Sequence, residues 1–373
     1  MQTQTPTAAN RQGLFPDYRR VEALFGWIMG APAFLGVFLF VILPFLMAIV
    51  LSFTDQRLVS PNPPQFIGLD NYSRLLSITT LTLDPVIDEA TGEPQMDDDG
   101  NVIFPRSRSI LRTEEAYTGF FEWFTVDAFG RRYVIAAKDP TFMASLLNNF
   151  LFALVVVPLQ SSIALLLAVM VNQGIPGSNL FRTAYFSPVV TSMAVISVIW
   201  IFLYNPDVGL INRFVQFVSF GQAGPFNWLG DTQSAMVAII IMSVWQGAGF
   251  QMTIFLAGLQ GIPQALYEAA GIDGANAWQR FWHVTMPGLR NTTVFVLITT
   301  TIFAFRLFTQ VDVMTQGGPR NDATSTVVFH AVQQGFRRLN LGYGSAISVV
   351  FFLIVLAIAL VQRRLLRSNG QEA

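Results

Sequence analysis

The chain has no cysteine, which excludes disulfides, a thiolate metal site and a catalytic thiol. Only two histidines occur, His283 and His330, far apart in sequence and outside any metal-ligand cluster. Lys138 is the only lysine, so positive charge is otherwise carried by arginine, a compositional bias rather than a functional choice. Charged residues are 12% of the 373 residues, where soluble domains hold about 25%. No glycine-rich phosphate loop of the form G-x-x-x-x-G-K-[ST] is present, so nothing here cradles a nucleotide in that way. The net charge of −1 leaves no electrostatic footprint for nucleic acid. What is abundant is apolar: 52% of residues are hydrophobic and mean hydropathy is +0.48, which places most of the chain in lipid. There is no internal repeat, and no low-complexity tract beyond a polar tail over 1–12.

Apolar windows of roughly 20 residues mark membrane helices. Six are expected, at about 31–53, 147–171, 186–204, 234–256, 292–312 and 344–362. The first is too long for a signal peptide and lacks a small-residue cleavage site, so it reads as an anchor. Pro44, Pro158 and Pro188 fall inside these helices and are expected to kink them. With the N-terminus inside, Arg11, Arg19, Arg20, Arg182, Arg280, Arg290, Arg363, Arg364 and Arg367 lie on the cytosolic side. Arg213, Arg320, Arg337 and Arg338 then lie on the short outer loops, and this imbalance puts both termini, 1–30 and 363–373, in the cytosol.

Segment 54–146 is too long and polar for a turn, with 14 acidic against 8 basic residues, net −6. Long loops cross the membrane regardless of charge, so its arginines do not oppose this topology. Asp99-Gly100 suits a hairpin turn, and Val102-Ile103-Phe104 and Tyr133-Val134-Ile135 are strand-like. Asp97-Asp98-Asp99-Gly100 invites a calcium-loop reading. Aligning Gly100 with the glycine of such a loop puts Gln95 first and Arg106 where a glutamate is needed, so it reads as an acidic turn.

Between the fourth and fifth windows lies Glu268-Ala269-Ala270-Gly271-Ile272-Asp273-Gly274-Ala275, followed by Phe281 and Pro287. Two small helices are expected there. Pro263 suits the first turn of one, Asp273 the cap of the next, and Gly274 the turn between them. Leu266, Ala269 and Ala270 give the first a small, smooth face. The spacing, with Phe six residues after the last Ala and Pro six further on, resembles the signature loop of inner-membrane permeases of binding-protein-dependent ABC importers. It departs from that family at Asn291, where a second proline is usual. Asn205-Pro206-Asp207-x-Gly209-x-x-Asn212 after Trp200, Thr315-Gln316-Gly317-Gly318-Pro319, and Ala257-Gly258-Leu259-Gln260-x-Ile262-Pro263 resemble further hallmarks of the family. The likeness covers about 15–77 and 139–368 and points to the carbohydrate-uptake branch, similar to the larger maltose permease chain or its glycerol-phosphate counterpart. Phe66-Ile67-Gly68-Leu69-Asp70-Asn71-Tyr72 and Asp139-Pro140-Thr141-Phe142 look like family sequence that normally lies close together. Residues 78–138 therefore read as an inserted outer subdomain.

The resemblance implies an all-α membrane protein of the type I importer permease fold, with a core over 147–362 and β-structure confined to the insertion. It implies that Glu268, Ala269, Ala270, Asp273, Gly274, Ala275, Phe281 and Pro287, within a cytosolic loop over 257–291, dock onto an ATPase. It implies as partners a second permease chain in a heterodimer, two cytosolic ABC ATPase subunits and a periplasmic or lipid-anchored solute-binding protein. No cofactor is expected in this chain; ATP and magnesium would sit on the ATPase subunits, so the chain itself is not an enzyme. The setting implied is a bacterial or archaeal cytoplasmic membrane.

The same resemblance places a substrate pocket at Gln246, Gly247 and Phe250 on the fourth span and at Thr300, Phe303, Ala304 and Leu307 on the fifth. The latter four fall at i, i+3, i+4 and i+7, one helical face, which is equally the pattern of an apolar packing stripe. Two sugar-binding asparagines of the maltose permease are Ala304 and Leu307 here, which sets this pocket apart from that one. Arg306 is expected deep within the helix, at the pocket's edge, where it would bind substrate, pair with a partner subunit or snorkel outward. Competing readings are a stand-alone secondary transporter, a permease for glycerol phosphate or a polyol, and an anchored enzyme with its site in 54–146. The last finds no histidine, cysteine or nucleophile motif in that segment.

Overall fold

The computed structural model describes residues 18–88, 93–97, 100–173, 177–319 and 322–367. Helix α1 (Tyr18–Val37), a π-turn (Phe38–Ile42) and α2 (Leu43–Ser52) form the first span. Pro44 has no N–H, and its ring would press on the carbonyl four residues back. The chain widens just before it: the Leu43 N–H bonds to Phe38 O, five residues back. The apolar span, Phe25–Ser52, starts six residues earlier than hydropathy suggests and has none of its most apolar window buried within the chain.

Helix α3 (Asp70–Leu76) leads to strand β1 (Ile78–Leu83), and α4 (Ser107–Thr113) precedes β2 (Phe121–Ala128) and β3 (Arg131–Ala137). The sheet is antiparallel in the order β1-β3-β2. Its hairpin turn is Phe129-Gly130, both with positive φ, which twists as the strands require. Leu81, Leu83, Leu111, Val134 and Ala136 form a hydrophobic cluster of their own. Tyr133-Val134-Ile135 lies in β3 as expected, whereas Val102-Ile103-Phe104 forms only a bridge from Val102 to Met96. Gly100 turns with positive φ there, and Asp98 and Asp99 lie outside the described residues. Ile78 pairs with Ala137, and the Lys138 N–H donates to Ser77 O at 3.1 Å, so the module's two ends meet.

Helix α5 (Pro140–Asn172) starts seven residues before its expected window. Asp139 caps it by accepting the Phe142 N–H at 2.9 Å, with Pro140 next, where a missing N–H costs nothing. Pro158 lies within this unbroken helix. Helices α6 (Ser178–Val190) and α7 (Met193–Leu203) occupy the third window but meet at 103°, so this span is not one kinked helix but two pieces. Pro188 removes a backbone donor, and Thr191 and Ser192 are extended. Outside it, α8 (Leu210–Val218) leads to the loop clasped by buried Asn212, whose Oδ1 accepts from Trp228 Nε1 at 2.9 Å.

Helix α9 (Ala235–Gln260) is the most enclosed span. It packs along α5, which buries the small residues Ala153, Ala164 and Ala168. Helices α10 (Gln264–Ile272), α11 (Ala277–Arg280) and α12 (Met286–Gly288) form the next connection, with a π-turn at Phe281–Thr285 before Pro287. Helix α13 (Arg290–Phe305) ends short of its window, and α14 (Thr309–Met314) continues after a break. Helix α15 (Val327–Val332) and α16 (Leu341–Arg367) complete the described residues. Among the described residues there are five helices long and apolar enough to span, or six with the bent pair.

The break after α13 corrects the expectation of a continuous helix through Arg306. Nothing in Phe305-Arg306-Leu307-Phe308 is a helix breaker. The freed backbone is met by the loop before α15 and by α5. Asn149 Nδ2 donates to Phe305 O, Asn149 Oδ1 accepts the Val327 N–H at 2.9 Å, and Thr326 Oγ1 donates to Leu307 O at 2.7 Å. Both side chains, and the residues Phe305, Leu307 and Val327 whose backbone they bond, are buried, which is what irregular backbone at membrane depth requires.

Candidate functional site: a cavity between spans and an inner loop

All eight residues expected in a pocket line a single cavity of about 450 Å³ between α5, the α6–α7 bend, α9 and the α13–α14 break. Gly247 is at mid-length of α9, Gln246 is half-buried, and Phe250 and Phe303 face each other across the opening, 6.5 Å apart at 62°. Their exposed faces supply flat apolar surface. Ala304 and Leu307 are almost fully buried and contribute walls rather than polar contacts.

Three assignments change on inspection of the geometry. Thr300 is buried with its hydroxyl already used: it donates to Val296 O at 2.6 Å and accepts from Gln251 Nε2. Gly247 does not open its backbone to a ligand, because a Cβ there would lie 2.2 Å from Gln160 Nε2. Arg306 is the residue that closes α13, and its side chain is exposed, with no hydrogen bond or ion pair among the described residues.

The sequence missed the groups with free hydrogen-bonding capacity. Gln251 Oε1 and Ser243 Oγ both line the cavity, are buried, and have no partner among the described residues. Leaving such atoms bare costs roughly 1–3 kcal/mol each, so each can take a hydrogen bond from whatever enters the cavity. Gln160, Thr309 and Gln310 add further polar lining. Gln251 follows Phe250 directly, and its burial depends on which neighbour covers that face of α9; no local signal marks it.

The signature-loop residues sit together at the opposite end. Pro263 caps α10 from outside its first turn rather than within it. Gly274, at φ +76°, closes α10: its N–H bonds Gly271 O, and the Ala275 N–H reaches Ala270 O at 2.9 Å. Asp273 is thus the end of α10, not the cap of the next helix. Asn276 takes that role, in a reciprocal pair with Gln279. Tyr267 and Thr285 hydroxyls meet at 3.0 Å and hold α10 against the π-turn. Glu268, Ala269, Asp273, Gly274 and Pro287 are exposed; Ala270, Ala275 and Phe281 are partly covered. Around them Ile272 is 87% exposed, Trp278 69% and Leu266 51%.

Residues 134–369 match the family described as the inner membrane component of binding-protein-dependent transport systems. The chain belongs to this family. A probable ABC transporter permease protein of Bacillus subtilis, YurN, is 33% identical over 268 residues, covering 69% of this chain and 90% of that one. The sn-glycerol-3-phosphate transport system permease protein UgpA of Yersinia enterocolitica is 32% identical over 254 residues, covering 65% and 84%. The arabinooligosaccharides permease protein AraP of Bacillus subtilis is 32% identical over 232 residues, covering 62% and 73%. The fold agrees with a chain of a bacterial ABC transporter involved in alginate import, at a TM-score of 0.67 and 16% identity over 95% of this chain and 98% of that one. The permease reading therefore stands, and a stand-alone secondary transporter or anchored enzyme is not favoured.

Proposed function

We propose that this permease carries a sugar, or a closely related polyol, through the cavity between α5, α9 and α13. The observation that carries the reading is that two unpartnered buried polar atoms, Gln251 Oε1 and Ser243 Oγ, share one cavity with the exposed faces of Phe250 and Phe303. Aromatic faces against C–H groups, with a few fixed hydrogen bonds, suit a ring of hydroxyls. The partners are a second permease chain that completes the pathway, two cytosolic ATPase subunits that hydrolyse ATP, and a solute-binding protein that delivers the substrate. Glu268, Gly274 and the apolar display around Ile272 form the docking face for the ATPase. The arginine imbalance orients this face and both termini to the cytosol of a bacterial or archaeal inner membrane.

Arg306 supports a second reading, a phosphorylated polyol, because it lines the same cavity with its charge unpaired. Transport by the assembled complex in membrane vesicles separates the two. Arg306→Ala abolishes uptake of an anionic substrate but leaves uptake of a neutral sugar largely intact. Docking is tested by Ile272→Asp, an exposed change that leaves the fold alone. The ATPase subunits should then no longer co-purify, while the chain still inserts in the membrane. Retained co-purification would refute the docking face.

A further inference from the structure

A second cavity, of about 770 Å³, lies where the inserted module meets the ends of α3, α5 and the π-turn Gln333–Arg337. It is lined by five cations: Arg74, Arg108, Arg112, Lys138 and Arg338. The segment 54–146 is acidic overall, net −6. Yet four of its eight basic residues line this one cleft, against two of its fourteen acidic ones, Glu122 and Asp139. Charge of one sign has been gathered here against the balance of the module.

None of the five cations is within 4.0 Å of a carboxylate oxygen among the described residues. The carboxylates on the wall are already engaged. Asp139 accepts from His330 Nε2 at 2.8 Å, from the Tyr343 hydroxyl and from the Phe142 N–H. Asp322 accepts from Thr141 Oγ1 at 2.7 Å, and Glu122 from Ser107 Oγ at 2.6 Å. Two of the cations are held in place by aromatic faces. Arg74 lies 4.4 Å from the Tyr343 ring centroid, and Lys138 lies 5.4 Å from that of Phe120. Like charges converging from four elements repel one another, and a bound anion converts that repulsion into attraction. Trp123 and Phe121 complete the wall and add flat apolar surface.

We infer that this cleft is a binding site for an anionic ligand bearing one or more carboxylate or phosphate groups, distinct from the cavity between the spans. Guanidinium groups favour such oxyanions through paired hydrogen bonds. The same chemistry is offered by an acidic or phosphorylated saccharide and by an anionic phospholipid headgroup. The cleft borders the first turn of α5, where both have access.

The test uses the full chain in nanodiscs and is indifferent to which side of the membrane the cleft faces. Trigalacturonate is titrated against protein in phosphatidylcholine nanodiscs, with maltotriose as the neutral control. In a parallel arm, phosphatidylglycerol retained by the protein is measured by native mass spectrometry. Selective binding of trigalacturonate assigns the site to an acidic solute; selective retention of phosphatidylglycerol assigns it to a lipid headgroup. In either case the double variant Arg108→Gln/Arg112→Gln should weaken binding about tenfold or more and flatten its dependence on salt. Arg213→Gln, on α8 away from the cleft, should leave it unchanged. Both Gln positions are exposed, so folding is not at issue; an unchanged melting temperature verifies this. The inference is overturned if neither anion exceeds its neutral control, if the Gln variants bind as well as the parent, or if only an acidic protein surface binds.

Discussion

Gln251 is the residue on which the cavity's chemistry turns. Its amide nitrogen is tied to Thr300, which leaves Oε1 as the buried acceptor facing the space. Gln251→Leu should keep the packing and remove the acceptor, costing about 1–3 kcal/mol of substrate binding, roughly 5- to 150-fold. The readout is the uptake KM at unchanged capture by the solute-binding protein; an unaltered KM removes Gln251 from the site. Gly247 makes a different prediction. A methyl group there collides with the Gln160 amide, so Gly247→Ala should impair uptake by displacing Gln160. The pair Gly247→Ala/Gln160→Ala should recover much of the loss, because neighbours in contact are not additive. The family resemblance named Gln246, Gly247 and Phe250 on α9 and Phe303 on α13, all of which line one cavity, but it could not say which hydroxyl or amide is spent on internal bonds.

At the scale of elements, the break between α13 and α14 is the feature that residue patterns hide. A helix former at every position would carry the helix on, were it not for Asn149 and Thr326 offering the backbone other partners. Asn149→Ala leaves the Val327 N–H without its partner in the core and should lower stability by about 1–3 kcal/mol, read as a drop in melting temperature of the detergent-solubilised chain. It should also disturb the cavity wall formed by Arg306 and Leu307. The π-turns before Pro44 and Pro287 show the opposite case. There the sequence announces a disturbance, and the backbone absorbs it by widening one turn rather than by stopping. In the inner loop Gly274 was legible as a turn, but the expected cap at Asp273 was not the one used: Asp273 ends α10, and Asn276 caps the next helix.

At the scale of the whole molecule, one buried group joins the inserted module to the membrane core. Asp139 joins its exit to α5, His330 and Tyr343. Burial pushes this carboxyl up, but the His330, Tyr343 and Phe142 donors outweigh it, so the net direction is below the ordinary value. A depressed carboxylate stabilises the fold above its unfolded pKa of about 3.9 and loses that contribution as pH falls through its lower folded value. The melting temperature should therefore owe nothing to Asp139 titration between about pH 5 and 8, and should fall below about pH 4. Asp139→Asn should remove that part of the acid dependence while lowering stability at neutral pH. Deleting 78–138 and joining Ser77 to Asp139 should leave a membrane-inserted chain that still binds its ATPase, since Ser77 and Lys138 are hydrogen-bonded neighbours. Loss of insertion would show that the module belongs to the core fold.

Composition alone determined that this is a lipid-embedded, cysteine-free chain, because burying so few charges and so much apolar surface leaves no soluble alternative. The spacing within 268–287 and the apolar windows determined the family and five of the six spans. These are local properties, written in periods of a few residues. The tertiary structure decided what depends on partners distant in sequence. It bends the third span by 103°, ends α13 at Arg306, leaves Gln251 Oε1 bare and gathers five cations at one cleft. Hydrogen bonds in a low-dielectric interior are satisfied by whatever lies nearest in space, and no residue pattern states which neighbour that will be.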